Sequence, residues 1–248
     1  MSEQREIIVI PDVHGRDFWR DAVANRGDRE VIFLGDYVDP YDWEQISDEQ
    51  TLAGLKDIVQ LKQDNPEDIT LLLGNHDLQY VYRGFPYARY CRKNAFMYFD
   101  AFWDHRELFD LAAVRTLGDK RFIFSHAGIQ PWWLQEWHEL FGLPEFEREQ
   151  FGDMLQCLDV GTINDLYHRG KDEIVPALEQ ISRYRGGWNI YGSLVWSDLK
   201  EYSTYPENTA NTFQVFGHTQ RMNGPYISDN YACLDCRKAF CIREQGIF

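Results

Sequence analysis

The 248-residue chain is poor in positive charge and in cysteine, and it has no long apolar run. Its 25 Lys and Arg stand against 40 Asp and Glu, a formal net charge of −15. Sequence-independent binding to nucleic acid needs clustered basic residues, so a general DNA or RNA partner is excluded. Five cysteines, an odd number scattered along the chain, do not make a disulfide framework. No apolar stretch approaches the roughly 20 residues that span a bilayer. The N-terminus, MSEQREIIVI, lacks the basic region and long apolar core of a secretory leader. A soluble cytoplasmic protein with no membrane partner is expected. No repeat period or low-complexity tract is present, and 44% hydrophobic with 26% charged residues fits one ordinary domain over 1–248.

Two local features have simple readings. Cys233 and Cys236 have the spacing of half a zinc site, yet only Cys241 lies near, and a thiolate site wants two further ligands. The alternation of Tyr231, Cys233 and Asp235 with Ala232, Leu234 and Cys236 fits a strand leading into a turn at Arg237 and Lys238. Trp132, Trp133 and Trp137, at near-helical spacing with Leu134 and Leu140, read as packing rather than as a stacking platform for rings.

Strands and helices alternate in the first part of the chain. Strands are expected at 6–11, 30–34 and 68–73, with helices near 17–25 and 48–64; residues 79–110 and 131–185 look helical. From 129 to 210 there are 6 Lys and Arg against 14 Asp and Glu, a net of −8, which reads as a solvated outer face. From 213 the chain returns to strands, so residues 130–190 are read as a helical insertion. The alternation predicts an α/β fold with parallel strand pairs flanked by helices.

Five apolar runs end alike: IIVIPDVHG (7–15), VIFLGDYVD (31–39), LLLGNHD (71–77), RFIFSHAG (121–128) and FQVFGHTQ (213–220). Singly, Asp12, Asp36 and Asn75 read as helix caps or turn formers, and His126 or His218 as a satisfied histidine. Together the endings offer oxygen and nitrogen donors beyond strand ends, where ligands gather in parallel sheets. Three His, two Asp and one Asn suit borderline divalent ions such as Mn²⁺, Fe²⁺ or Zn²⁺. A carboxylate shared by two ions would set them about 3.5–4 Å apart, as in two-metal hydrolytic sites.

The order DVHG, GDYVD, GNHD, SHAG and GHT resembles the calcineurin-like metallophosphoesterases, and more narrowly their phosphoprotein phosphatase branch. GNHDLQYVYRGFPYARYCRK, SHAGIQP and SLVWSD (193–198) are similar to that branch's segments after GNHE, HGGLSP and LLWSD. The resemblance runs from about 7 to 134 and again from about 190 to 236. It implies a layered β-sandwich flanked by helices, and hydrolysis of phosphomonoesters by a hydroxide bridging two divalent ions, Mn²⁺ first among them and Fe²⁺/Fe³⁺ or Zn²⁺ as alternatives. By position, Asp12 and His14 would bind the first ion, Asp36 would bridge, and Asn75, His126 and His218 would complete the second. His76 would protonate the leaving alcohol, oriented by Asp39. The implied partner is a phosphorylated substrate, either a phosphoprotein or a small phosphoester.

Two departures stand out. The family's GDYVDRG arginine is replaced by Pro40, which leaves Arg83, with Asn75, to hold the substrate phosphate; Arg89 and Arg92 are lesser candidates. The 130–190 insertion is longer than the family's usual connection and would form a cap. A diadenosine tetraphosphatase-like nucleotide phosphoesterase and a non-catalytic scaffold binding through acidic helices are the alternatives.

Overall fold

The computed structural model describes residues 5–82, 84–86, 88, 91, 96–206 and 209–248, and at Lys171 and Asp172 the backbone alone. Arg83, Arg89 and Arg92 lie outside the described residues. In chain order the strands are β1 (Ile7–Ile10), β2 (Glu30–Phe33), β3 (Ile69–Leu72), β4 (Phe109–Asp110), β5 (Ala112–Leu117), β6 (Lys120–Ser125), β7 (Thr212–Phe216), β8 (Tyr226–Ile227), β9 (Tyr231–Cys233), β10 (Phe240–Arg243) and β11 (Gly246–Ile247). The helices are α1 (Trp19–Ala24), α2 (Asp48–Asp64), α3 (Asn75–Val81), α4 (Phe96–Trp103), α5 (Pro131–Glu136), α6 (Phe151–Cys157), α7 (Val160–Arg169) and α8 (Lys171–Leu178). No helix among the described residues is long and apolar enough to cross a membrane.

The chain divides into two compact units, Met1–Asp110 with Arg237–Phe248, and Leu111–Cys236. In the first unit the sheet order is β11-β10-β1-β2-β3-β4. β1, β2, β3 and β4 are successively parallel, and β10 returns antiparallel beside β1. The Val, Ile and Phe residues of β1 and β2 are buried, as expected where a parallel sheet is covered on both faces. α2 begins at Ser47, whose hydroxyl accepts the Gln50 amide while the Gln50 side chain accepts the Ser47 amide. That reciprocal cap satisfies two N–H groups a helix start leaves open. The helix then buries Thr51, Leu55, Ile58 and Val59 and stops at Asn65, where Pro66 cannot continue it. Aromatic contacts fasten the remaining helices: Phe102 of α4 packs on Phe109 (5.4 Å between ring centroids) and Tyr80 of α3 on Tyr98 (5.3 Å).

In the second unit the order is β5-β6-β7-β9-β8. β6, β7 and β9 are parallel neighbours, with antiparallel β5 and β8 at the edges. Tyr202 stacks on Phe216 at 4.6 Å and packs on Tyr231 at 4.6 Å, forming an apolar cluster with Cys233. The helices α5, α6, α7 and α8 belong to this unit. The expectation of helix across 79–110 is corrected: α3 stops at Val81, α4 covers Phe96–Trp103, and the segment ends in a short 3₁₀ turn and the strand β4.

Candidate functional site

Asp12, Asp36 and Asn75 each lie just past the carboxyl end of a parallel strand of the first sheet. Parallel neighbours end on the same edge, so three loops meet there. The His14 amide donates to the Asp36 carbonyl (2.7 Å) and the Gly15 amide to the Tyr37 carbonyl (2.9 Å). Gly35 has φ +103°, and a Cβ there would collide with the backbone of Leu73 and Gly74. Only glycine tolerates both that conformation and that approach.

One carboxylate ties the loops together. Asp77, wholly buried, accepts the amides of Asp36 (2.7 Å), Tyr37 (2.9 Å) and Gly74 (2.8 Å). Burial and the Asp36 charge push its carboxyl up, against the pull of those amides.

His14 places its Nδ1 2.8 Å from the Val38 carbonyl and 3.1 Å from that of Asp39. Carbonyl oxygens only accept, so Nδ1 carries the proton. Nε2 then turns its lone pair toward Asp36, 3.5 Å from Oδ2. Burial lowers the His14 pKa, outweighing the nearby Asp36 charge, which favours the neutral, ligating form.

His76 is held at two points: its amide donates to Asp36 Oδ1 (3.0 Å), and Nδ1–H donates to Asp39 Oδ2 (2.8 Å). Burial alone would lower its pKa, but the Asp36 charge and the Asp39 hydrogen bond outweigh it and push the value up to about 9. Asp39, itself wholly buried, also accepts from Gln79 Nε2 (2.6 Å) and the Tyr80 hydroxyl (2.6 Å). The Gln79 carbonyl oxygen takes the Ala88 amide (3.0 Å), which fixes the amide end facing Asp39. Donor atoms of His14, Asp36 and His76 lie within 4.8 Å of one another, all buried. Of the three, Asp36 and the neutral His14 are the oxygen and nitrogen donors suited to a divalent ion, whereas His76 holds its proton.

In the second unit, His126 follows β6 and His218 follows β7, and these strands are parallel neighbours. His126 Nε2 and His218 Nδ1 are 3.0 Å apart and buried, a disposition suited to two ligands of one ion. Arg185 donates to the His218 carbonyl (3.1 Å) and to Thr219 Oγ1, and pairs with Asp198 at 2.8 Å. Cys233 Sγ donates to the carbonyls of Gly217 and Thr219. Cys233 thus ends a strand and braces the His218 loop.

The turn-and-cap reading of the acidic endings is answered by the helices themselves. The residues at N-cap positions are Phe18 before α1, Ser47 before α2 and Gly74 before α3, so none of Asp12, Asp36 and Asn75 is the N-cap residue of these helices. His14, Asp36, Asp39 and His218 are four of the eight described non-glycine residues with positive φ, at 46°, 52°, 59° and 63°. Strained backbone gathers where side chains must be aimed.

The first unit gathers donor atoms of His14, Asp36 and His76, sets Asp39 on His76, and buries Asp12 and Asn75 on the adjoining loops; the second pairs His126 with His218. Asp77, Gln79 and Tyr80 were missed by the sequence reading. An acidic residue at the third position of a helix was the available signal for Asp77; Gln79 and Tyr80 carried none beyond following GNH. Trp133 is fully buried and donates to the Ala177 carbonyl (2.8 Å), in keeping with packing, whereas Trp132 is exposed and stacks on Tyr191.

A family model described as calcineurin-like phosphoesterase matches residues 6–222. The chain is 21% identical over 247 residues to the serine/threonine-protein phosphatase 6 catalytic subunit of Drosophila melanogaster, covering 96% of this chain and 64% of that relative. The chain thus spans less than two thirds of that relative's length. Among solved structures, a cold-active protein-tyrosine phosphatase of the psychrophile Shewanella sp. is similar with a TM-score of 0.59 at 15% identity, over 98% of this chain and 78% of that one. A Saccharomyces cerevisiae protein serine/threonine phosphatase, described as similar to human PP5, gives 0.51 at 14% identity, over 97% and 73%. At these identities the structures speak for the fold.

Proposed function

Since the chain belongs to the calcineurin-like phosphoesterase family, whose members are metal-dependent enzymes, we propose that it hydrolyses phosphomonoesters with two divalent ions, Mn²⁺ foremost, in the manner of a serine/threonine protein phosphatase. Asp12 and His14 would hold one ion and Asn75, His126 and His218 the other, with Asp36 shared. Such ions, when bound, supply positive charge to phosphoryl oxygens and acidify water toward neutral pH.

The chain's own residues supply the rest. His76 donates a proton from Nε2 to the leaving oxygen as the P–O bond breaks, so the alcohol departs neutral. Asp39, fixed by Gln79 and Tyr80, accepts from Nδ1 and so keeps Nε2 aimed. Arg83 and Asn75 would orient the phosphate.

The observation that carries this reading is the linkage of Asp36, His76 and Asp39, in which the proposed bridging carboxylate accepts the His76 backbone amide at 3.0 Å and Asp39 accepts from the His76 imidazole at 2.8 Å. A substrate panel of phosphoserine and phosphothreonine peptides, p-nitrophenyl phosphate and dinucleoside polyphosphates, with Mn²⁺, tests it by released phosphate. Preference for the dinucleoside polyphosphates, or no turnover of any substrate, overturns it.

A further inference from the structure

Beside the His14 loop, still within the first unit, lies a cavity of about 530 Å³. Its polar lining is Arg16, Arg20, Arg237 and Gln50, with Asp17 the single carboxylate, and Gly54 of α2 forms part of its wall. Arg16 touches the proposed metal-binding loop directly, donating to the Asp12 carbonyl at 3.2 Å. It also grips Glu44 with two hydrogen bonds, Nε to Oε1 (2.8 Å) and Nη2 to Oε2 (3.1 Å).

Glu44 is thereby spoken for, yet Arg237 stands 3.3 Å from the same carboxylate. One negative charge faces two guanidinium groups. The Arg237 guanidinium donates no hydrogen bond to any described residue, and its backbone is left-handed, φ 61°, a conformation an arginine holds only at some cost. Arg20 donates a single hydrogen bond, to Asp57 on the outer face of α2. Gln50 uses its carbonyl oxygen in the α2 cap, leaving its amide N–H₂ to the cavity. A lining of three guanidinium groups and one carboxylate, with open donors on Arg237 and Gln50, suits an oxyanion, which planar guanidinium groups bind well.

We propose that this cavity is a second anion subsite, which takes a carboxylate or phosphate on a residue neighbouring the scissile phosphoresidue of a peptide substrate. It rests on the phosphatase reading and narrows it to acidic phosphopeptides, a preference unexpected of a chain with a net charge of −15.

Two substitutions probe it. Arg237→Gln keeps a long polar side chain and the same backbone cost while removing the charge. Gly54→Glu adds a carboxylate where a Cβ meets open space, in a helix that a glycine weakens. First, inorganic phosphate is titrated calorimetrically into the full-length chain without added metal, at low salt. Saturable binding weakened about threefold or more by each substitution is expected; no binding, or equal binding by all three proteins, overturns the subsite.

Second, kcat/KM is compared for Mn²⁺-loaded protein on phosphothreonine peptides flanked by Glu or by Gln. Exposed charge pairs support a preference of about two- to fivefold for the Glu peptide, falling to near one in Arg237→Gln. A wild-type ratio of one or less, or a ratio retained in the variant, overturns the proposal. Failure of the wild type to turn over either peptide or p-nitrophenyl phosphate, with substitution-sensitive phosphate binding intact, overturns the phosphatase reading and leaves the subsite standing.

Discussion

Asp77 holds Asp36 by its backbone: the Asp77 carboxylate accepts the Asp36 amide at 2.7 Å. Because it also accepts from Tyr37 and Gly74, one side chain fixes the loops after β2 and β3 against each other. Removing it leaves three amides without their acceptor in a site closed to bulk water.

Asp77→Ala is therefore expected to destabilise the fold by at least about 2 kcal/mol, the scale of stranding buried donors that served a charged acceptor. Urea unfolding measures it. A loss under about 0.5 kcal/mol would show that the loops hold without this staple.

His76→Ala should lower turnover of phosphoserine by about 10²–10⁴-fold, the usual worth of a positioned acid, and turnover of p-nitrophenyl phosphate far less, since nitrophenolate leaves unaided. Asp39→Asn should show the same pattern more mildly. Metal content is measured in each variant. Equal losses on both substrates with metal retained would remove His76 from the role of acid.

Asp36→Asn should weaken both ions and nearly abolish activity, because the proposed shared charge is lost. Chelation of the wild type should do the same reversibly, with thermal stability returning as Mn²⁺ is restored. Anomalous scattering from Mn²⁺-soaked crystals should give two peaks in the wild type and weakened peaks in Asp36→Asn. A single wild-type peak contradicts the paired-ion reading.

Glu44 gives the pH prediction. Burial pushes its carboxyl up, but the hydrogen bonds and charge of Arg16, with the charge of Arg237, carry it below its ordinary 4.5. An acid depressed in the folded state stabilises above its unfolded pKa, and that contribution disappears as pH falls through the folded value. Stability should drop as pH is lowered below about 4.5, and Glu44→Gln should flatten that limb. Parallel curves for the two proteins in unfolding measured from pH 3 to 6 would exclude the Arg16–Glu44 pair as a source of acid sensitivity.

The strands that aim the site were legible because they are short, apolar and punctuated: 6–11, 30–34 and 68–73 were expected against Ile7–Ile10, Glu30–Phe33 and Ile69–Leu72. α2 was expected at 48–64 and spans Asp48–Asp64, its start written in Ser47 and Gln50. The proposed ligands were found by the same logic, as polar residues that turn chemistry alone leaves unexplained. What sequence did not reveal depends on partners far along the chain. β10 joins β1 across more than 200 residues, with Ile7 opposite Ile242, and no local period announces it. Gln79 and Tyr80 look like ordinary helix residues until Asp39 is placed beside them. The mixed aromatic and basic run 79–110 carries a helical pattern, but α3 stops at Val81, just before Gly84 at φ +90° and Pro86, residues that break a helix locally.

Under the roles proposed for His14, Asp36, Asp39 and His218, their left-handed backbone would set heat resistance against activity. Each non-glycine residue in that region costs on the order of 1–3 kcal/mol, and glycine would lighten that cost at once. Variants selected only for surviving higher temperature should accordingly collect glycine at these four positions, becoming sturdier and inert together. Lineages that keep Asp or His there keep them against the preference of the fold, a form of selection readable without any assay.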